Sequence, residues 1–434
     1  TRLKLSHRPS LANKSIKPPA PIVSVDREGF RSTPSVCWVA PEGEEMLVGR
    51  LAQARLFDTK GGSILNPRDA LEHNDGGTIN AEAAIQQSIR AAASNALQQV
   101  LGSSGSEGGS NNPLFVLDAS VAREGSYNVR PIFTYPAHDD TTTDATYLNH
   151  FQHAINGLTS PVGIAAFVPE PVAIVCGAEY YNLLPKKNAS AGNSVLVIDV
   201  GGSSTSISVV GHGEVLTSMR MPVGGQTFID MLVGHLIEDF YDTKKNDAAE
   251  NPPSDTTDTL SSQPILNDPV ALQRLYEAAT TAIHELSNKT RVEINIPYLT
   301  MDLTTRQPKH LEVGVARTVV DAEVESWVKS KLVPYLEDTA DDMLSRALPA
   351  PTNLSTLVSS VIMASLERTS LSPQMLRAVL LVGGGARIPL VQNSLKDGVR
   401  YLAGDTERLV MPEGESLEEL VVLGAAIYGS GGRG

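Results

Sequence analysis

The sequence predicts an α/β protein in which apolar strands run into glycine turns and the turns lead into strands or helices. Two segments carry this prediction. SVLVIDV (194–200) is an apolar run with one aspartate, and Gly201-Gly202 separates it from a second apolar run, SISVV. AVLLVGGGARIPLVQNSL (378–395) supplies a strand, a glycine turn and a helix in that order. Long apolar runs bounded by glycine are typical of strands buried on both faces.

Apolar residues at helical spacing predict two long helices, TFIDMLVGHLIEDF (227–240) and DPVALQRLYEAATTAIHELSNK (268–289). Asp268 and Pro269 are the N-cap and first-turn signals of the second helix. Other segments are expected to be strands: the alternating RVEINIPYL (291–299), and the short buried runs IFTYPA (132–137) and VGIAAFV (162–168).

Size and composition limit the possible functions. A chain of 434 residues has room for two or three domains or one bilobal unit. The 41% hydrophobic and 19% charged residues are typical of a soluble globular protein, and no apolar run reaches the ~20 residues of a membrane span. A net charge of −14 argues against wrapping nucleic acid as the main task. Cys37 and Cys176 lie in apolar, strand-like runs and are expected to be buried thiols.

Residues 1–21 differ from this acidic average, because they contain five Lys/Arg and no acid precedes Asp26. Such a stretch is typical of what remains of an organellar transit peptide, with Thr1 as a processed N-terminus, or of a solvated basic arm. Pro18, Pro19 and Pro21 are expected to prevent a regular helix or sheet here. We expect an extended basic arm that contacts an acidic protein or RNA, or a remnant without contacts.

Two polar stretches are expected to be surface insertions. GSSGSEGGSNN (102–112) is a Gly/Ser linker, and TKKNDAAENPPSDTTDTLSSQP (243–264) is polar and interrupted by proline.

Three glycine turns are candidate phosphate contacts, because glycine lets backbone N–H groups approach an anion closely. They are Gly201-Gly202, Gly224-Gly225 and Gly383-Gly384-Gly385. Their spacing differs from the P-loop and from GxGxxG.

Asp199 is the sole carboxylate between residues 195 and 210. A hairpin that activates water or holds magnesium is expected to have a second acid, and Ser206 stands in its place. Serine cannot act as a carboxylate base or an anionic metal ligand at neutral pH. The hairpin therefore predicts a nucleotide site that keeps its glycine turn but lacks the second acid needed for catalysis or metal binding.

Several segments together resemble the nucleotide-binding domain of the 70-kDa heat-shock (DnaK-type) chaperones. They occur in that family's order and at about its spacing: DPVALQRLYEAATTAIHELS, EINIPYLT with PKHLEV, AVLLVGGGARIPLVQ, LGAAIYG, REGFRSTPSV with EEMLVG (27–49) and VPEPVAIVCGAEY (168–180). The sequence near residues 268 and 293 is most similar to the bacterial and mitochondrial branch of this family.

This resemblance covers about residues 22–430 and implies an actin-like ATPase fold: two lobes, each a mixed β-sheet with flanking helices, around a nucleotide cleft. Lobe I is expected at about 22–194 with a C-terminal part, lobe II at about 195–390, and a Gly-rich tail at 431–434.

The resemblance also implies which functional residues are lost. In the family's second phosphate loop, DLGGGTFD, the third glycine, the threonine and the second aspartate correspond to Ser203, Ser204 and Ser206. On the long helix, the ribose- and adenine-binding positions fall on Thr280, Ile283, His284 and Ser287.

Other family positions have matches. Arg387 is placed to cover an adenine face, Glu170 matches the crossover glutamate, Pro136 the switch proline and, loosely, Arg68 the catalytic lysine. The implied set is a vestigial nucleotide site without catalytic or metal-binding residues: Asp199, Gly201, Gly202, Gly224, Gly225, Ser287, Gly384 and Arg387.

The ends of the sequence also depart from the family. The basic start replaces the first phosphate loop, Asp-x-Gly-Thr-Thr, and SGGRG follows LGAAIYG in place of a client-binding domain. No binding of client peptides is therefore expected.

The leading hypothesis is a catalytically inactive ATPase domain that serves as a structural or accessory subunit of a large assembly, such as the mitochondrial ribosome, in the mitochondrial matrix or, alternatively, the cytoplasm. It needs no cofactor, although weak ATP or ADP binding is compatible with it. The alternatives are a nucleotide-sensing regulator without turnover and a working chaperone ATPase. His150 and His153, with Asp139 and Asp140 upstream, have a spacing that a metal could use, although histidines on a polar helix face are usually solvated. An acidic patch is expected to be a solvated face: Glu337, Asp338, Asp341 and Asp342.

Overall fold

A computed structural model describes residues 4–5, 22–23, 32–41, 45–58, 60–65, 67, 81, 83–89, 132–137, 148–149, 152, 166–186, 193–247, 264–301, 306–339, 351–403, 408–414 and 416–429. The strands are β1 (Lys4–Leu5), β2 (Ile22–Val23), β3 (Val36–Val39), β4 (Met46–Val48), β5 (Gly62–Leu65), β6 (Ile132–Tyr135), β7 (Ala166–Pro169), β8 (Ser194–Val200), β9 (Thr205–Gly211), β10 (Glu214–Met221), β11 (Arg291–Met301), β12 (Pro308–Ala316), β13 (Leu376–Val382) and β14 (Leu409–Val410). The helices are α1 (Arg50–Gln53), α2 (Glu170–Tyr180), α3 (Gly225–Asp247), α4 (Pro269–Leu286), α5 (Arg317–Trp327), α6 (Val333–Thr339), α7 (Leu354–Arg368), α8 (Pro389–Ala403) and α9 (Ser416–Gly429).

The largest described sheet has five strands in the order β10-β9-β8-β13-β14. β8 pairs antiparallel with β9 and parallel with β13, which pairs parallel with β14. Alternate residues of β8 enter different cores: Val195 and Val197 pack with α2 and α9, whereas Leu196 and Ile198 pack in a larger core on the opposite face. Burial on both faces explains why these strands read as continuous apolar runs.

α2 and α9 cover one face of this sheet and approach each other at backbone distance. A Cβ added to Gly177 would lie 2.9 Å from the carbonyl oxygen of Leu420. A Cβ added to Gly424 would overlap the carbonyl oxygen of Ala173. The two glycines therefore set the close crossing of these helices.

The opposite face carries the larger core, to which α3, α4, α7, α8 and the β11–β12 hairpin contribute. The helix signals at the start of α4 are confirmed, because the Asp268 side chain accepts hydrogen bonds from the backbone N–H groups of Val270 and Ala271. The alternation of β11 is also confirmed: Val292, Ile294 and Ile296 are buried between exposed neighbours.

Three smaller sheets complete the described fold: β4-β3-β5 antiparallel, β6-β7 parallel and β1-β2 antiparallel. The prediction that residues 1–21 contain no regular sheet is wrong at Lys4–Leu5, which pair with Ile22–Val23. Pro18, Pro19 and Pro21 lie between the two paired segments in the chain, so they remove no hydrogen-bond donor from this ladder.

Both cysteines are free thiols, and one of the two strand predictions is corrected. Cys37 lies buried in β3, but Cys176 is a half-buried residue of helix α2. Burial raises the pKa of the Cys37 thiol to about 11; burial, with the charge of Glu179 adding to it, raises the pKa of Cys176 to about 11.

The predicted insertions fall mostly outside the described residues. The linker at 102–112 lies there entirely. In the second stretch, α3 continues to Asp247, so residues 243–247 are helical where an insertion was expected, and Pro264 begins a short 3₁₀ turn. None of the helices in the described ranges combines the length and the apolar character needed to cross a membrane.

Candidate functional site

The three glycine turns meet at one end of the five-stranded sheet. β8 and β13 are parallel neighbours, so the turns that follow them leave the same edge. The second turn packs on the first: the N–H of Gly225 donates to the Gly201 carbonyl at 3.0 Å, and the N–H of Gln226 to the Gly202 carbonyl at 2.7 Å. A Cβ added to Gly385 would lie 3.3 Å from the Gly201 carbonyl oxygen, so the third turn lies against the first as well.

Several backbone donors of these turns are already bonded within the protein. Besides Gly225 and Gln226, the N–H of Gly201 donates to the carbonyl of Ser204 at 2.9 Å. The N–H of Gly224 donates to Oγ1 of Thr227 at 3.2 Å. These four N–H groups hold the turns together, which leaves them unavailable to an anion.

Asp199, Ser206 and Arg220 form one row across three strands. Ser206 of β9 is the direct partner of Asp199 on β8 and of Arg220 on β10. Directly paired residues project to the same face of a sheet. The neighbour of Asp199 is thus a hydroxyl group, and the next residue in the row is a cation. The Arg220 Nε donates to Oγ of Ser204 at 2.9 Å, which ties the row to the first glycine turn.

Gly383 is required at the start of the third turn. Its φ of +90° lies in the region that favours glycine, and its N–H donates to the Leu417 carbonyl at 2.8 Å. A Cβ there would collide with the carbonyl oxygen of Val200 and with Oδ1 of Asp199. The Asp199 carboxylate therefore lies against the third turn.

Arg387 is engaged within the protein rather than extended over a cleft. Its Nε donates to Oε1 of Glu418 at 2.9 Å, and its Nη2 donates to the Gly414 carbonyl at 2.8 Å. The Glu418 carboxylate also lies 3.6 Å from the Cβ position of Gly384. Sequence reasoning missed Glu418, and an acid in the first turn of α9 was the available signal.

On α4, most of the residues that align with the family's ribose and adenine contacts bond to the helix backbone or pack in the core. The hydroxyl of Thr280 donates to the Tyr276 carbonyl at 2.8 Å, and that of Ser287 to the Ile283 carbonyl at 3.2 Å. Ile283 is 6% exposed in the larger core, and His284 is exposed. Ser287 is thus the C-cap residue of α4, and its hydroxyl bonds to the helix backbone instead of to a glycine turn.

A polar cluster that sequence reasoning missed links α4 to the second glycine turn. The hydroxyl of Tyr276 donates to Oε1 of Gln226, whose Nε2 donates to Oδ1 of Asp230 at 2.7 Å. Burial raises the pKa of Asp230, and the Gln226 hydrogen bond partly opposes that rise. Burial also raises the pKa of Tyr276. The ring of Phe57, from the turn after α1, packs edge-on against Tyr276 with 5.6 Å between centroids.

Pro136 and Glu170 lie beside each other at the ends of a strand pair. Tyr135 of β6 is the direct partner of Pro169 on β7, and each candidate residue follows immediately.

Several other candidate residues lie outside the described part of the chain: Arg68, His150, His153, Asp139 and Asp140. Of the acidic patch, Glu337 and Asp338 belong to α6, whereas Asp341 and Asp342 also lie outside. Within the described part of the chain, no three His, Cys, Asp or Glu residues are arranged to hold a metal ion.

The mixed sheets, the crossed helices α2 and α9 and the glycine turns at one sheet edge define an actin-like ATPase fold, as the resemblance implied. Residues 170–347 match the model of the family described as Hsp70 protein. The match begins at the first residue of α2 and includes the first two glycine turns, α4 and the β11–β12 hairpin. It supports an Hsp70-family ATPase-like domain in this chain.

Proposed function

We propose that this chain is a catalytically inactive Hsp70-type ATPase domain that serves as a structural or accessory subunit of a larger mitochondrial assembly. The row Asp199–Ser206–Arg220 carries the proposal. Magnesium sites in phosphate-transferring proteins use carboxylate oxygens, and a general base needs a group that accepts a proton near neutral pH. A hydroxyl beside Asp199 supplies neither function.

The internal hydrogen bonds of the glycine turns support the same proposal. A phosphate cradle needs N–H groups directed at the anion, whereas Gly201, Gly224, Gly225 and Gln226 donate to protein oxygen atoms. Glu418 also lies beside Gly384 and pairs with Arg387, so this pair offers an approaching phosphate no net positive charge. The turns thus act as a packing junction between strands and helices.

Phosphate release from Mg-ATP tests the inactivity. We expect the purified chain and its Asp199→Asn variant to release phosphate at the same background rate, with or without magnesium. Magnesium-dependent release by the natural chain that Asp199→Asn abolishes would overturn the proposal.

The second candidate is a regulator that binds ATP or ADP without turnover. The meeting of three glycine turns around Asp199 is the observation that favours it. Loss of the ribose acid and lysine removes several polar contacts, each worth about 1 kcal/mol or more, so we expect affinity at least roughly a hundredfold weaker than in an intact site. Calorimetry with ATP and ADP separates the candidates, since submicromolar affinity would favour the regulator.

Glu418→Ala sharpens this comparison, because it removes the ionic partner of Arg387 and the carboxylate next to Gly384. For a regulator, this variant should bind ADP more tightly than the natural chain. Glu413→Ala, which removes an exposed acid from the segment between β14 and α9, is the matched control. Equal, undetectable binding in all three proteins is the result expected for a scaffold.

The assembly and its location are tested by isolating the native protein from fractionated cells. The mitochondrial assignment rests on the resemblance to the bacterial and mitochondrial branch and on the basic composition of residues 1–21. We expect co-purification with the same set of subunits at high molecular mass. A free monomeric pool, or recovery from the cytosol, would count against this part of the proposal.

A further inference from the structure

A cavity of about 170 Å³ lies beneath α8, at the outer end of the five-stranded sheet and apart from the contacts that join the glycine turns. Its apolar side comes from Leu381 of β13, Leu409 of β14 and Met411 directly after β14. Val379 pairs with Leu409 in parallel register, so Leu381 and Met411 follow in step on the same face. These three side chains form an apolar floor.

The opposite wall is polar and basic. Gln392, Lys396 and Arg400 come from successive turns of α8 and therefore lie along one side of that helix. Gln392 is held in place, because its Nε2 donates to the Ala386 carbonyl at 2.9 Å. Lys396 is exposed and has no acidic partner among the residues that the structure describes.

The charged side chains at the rim of the cavity, Lys396, Arg400 and Asp397, suit a ligand that carries one negative charge. Arg400 Nη1 lies 3.8 Å from Oδ1 of Asp397, and both side chains are more than half exposed. Such a pair is worth less than about 1 kcal/mol, so the guanidinium can turn to another carboxylate at small cost. Among the residues that the structure describes, two cations and one aspartate leave a net charge of +1 at this rim, on a chain whose total charge is −14.

We propose that this cavity binds a small organic monocarboxylate that carries one aromatic ring or a branched alkyl group of similar size. An apolar cavity of roughly 150 Å³ accommodates a benzene ring. The ring rests on Leu409 and Met411, and the carboxylate reaches the forked donors of Arg400 and the ammonium group of Lys396. A dianionic phosphate would exceed the charge available at the rim.

Ligand-observed NMR and calorimetry on the full chain test this site with benzoate as the probe. Acetate supplies the charge without the ring, and benzyl alcohol supplies the ring without the charge. We expect benzoate to bind with a Kd of about 1 mM or lower, and both comparison compounds to bind at least roughly fivefold more weakly.

Variants identify the place of binding. Lys396→Gln and Arg400→Gln should each raise the Kd for benzoate by roughly fivefold, because each removes a charge from the rim. Lys331→Gln, an exposed lysine outside the cavity, should leave it unchanged. Leu409→Trp fills the cavity and should abolish binding, while the two exposed α8 variants keep the test valid if that protein does not fold.

The proposal is overturned if benzoate does not bind, if acetate binds as well as benzoate, or if the affinity is the same in the natural chain and in both α8 variants.

Discussion

The ring of Phe57 meets the ring of Tyr276 at an interplanar angle of 63°, and this contact joins the turn after α1 to helix α4. Phe57 lies in the connection between β4 and β5 of the small β4-β3-β5 sheet, whereas α4 packs in the larger core. Tyr276 in turn bonds to Gln226, which directly follows the second glycine turn. One aromatic contact thus links the small sheet to the candidate site.

We predict that Phe57 and Tyr276 are energetically coupled by about 0.5–1.5 kcal/mol, the range for edge-to-face aromatic pairs. A double-mutant cycle with Phe57→Ala, Tyr276→Ala and the double variant, measured by denaturant unfolding, gives this energy. The pairing of Phe57→Ala with Tyr335→Ala, an exposed aromatic residue on α6, is the control cycle and should give zero. A zero result for Phe57 with Tyr276 would contradict the prediction.

Two Gly→Ala substitutions should have opposite effects on stability, because one glycine lies at the crossing of α2 and α9 and the other is exposed on α3. Gly424→Ala places a methyl group on the Ala173 carbonyl, so the helices must separate, and we expect a loss of about 3 kcal/mol or more in the free energy of unfolding. Gly234→Ala, in an exposed position of α3 with open space around it, should instead stabilise the protein by up to about 1 kcal/mol. Similar unfolding midpoints for the two variants would refute this account.

Asp230 predicts a pH dependence of stability. Its pKa is higher in the folded chain than the ordinary 3.8, so the folded state holds this proton more tightly. The resulting stabilisation is complete below pH 3.8 and is lost as pH rises through the folded pKa. Asp230→Asn cannot titrate, so its stability relative to the natural chain should improve as pH increases from 4 towards 7.

Denaturant unfolding at a series of pH values measures this difference, and Glu413→Gln, which removes an exposed carboxylate, provides the comparison. A difference between the natural chain and Asp230→Asn that stays constant over the series would show that Asp230 has the same affinity for its proton in both states.

The two cysteines should react slowly with thiol reagents in the folded protein. With pKa values of about 11, both thiols are protonated at pH 8, and only the thiolate reacts. We expect labelling by a disulfide reagent at pH 8 to be roughly a hundredfold slower than in urea. Above about pH 9 the unfolded chain releases these protons first, so the same burial should lower stability there. Rapid labelling of two thiols under native conditions would contradict the prediction.

Features set by neighbouring residues could be predicted from the sequence. The cap at Asp268 depends on N–H groups two and three residues away, and the alternation of β11 depends on period two alone. The sequence predicts a strand at Cys176 because EPVAIVCGAEY is apolar on nearly all sides, and such a segment has no periodicity that separates a buried helix from a buried strand.

The partners of the candidate site could not be predicted in the same way. Arg387 meets Glu418 across a connection that includes α8 and β14, and Phe57 meets Tyr276 from a distant part of the chain. Side-chain pairs of this kind follow from the three-dimensional packing of elements, and a pattern of residue types does not encode them. The resemblance named Arg387 as a candidate but not the carboxylate that holds it.

The position of β13 has a consequence for how the chain is made. This strand lies between β8 and β14, yet residues 201–375 separate it from β8 in the sequence. During synthesis β8 and β9 leave the ribosome long before β13, so one edge of an apolar strand has no neighbour until the last part of the chain emerges. Pairings this distant in sequence form slowly. The nascent chain should therefore need a chaperone on the exposed edge of β8. A protein chain that ends before residue 376 lacks β13 and should aggregate.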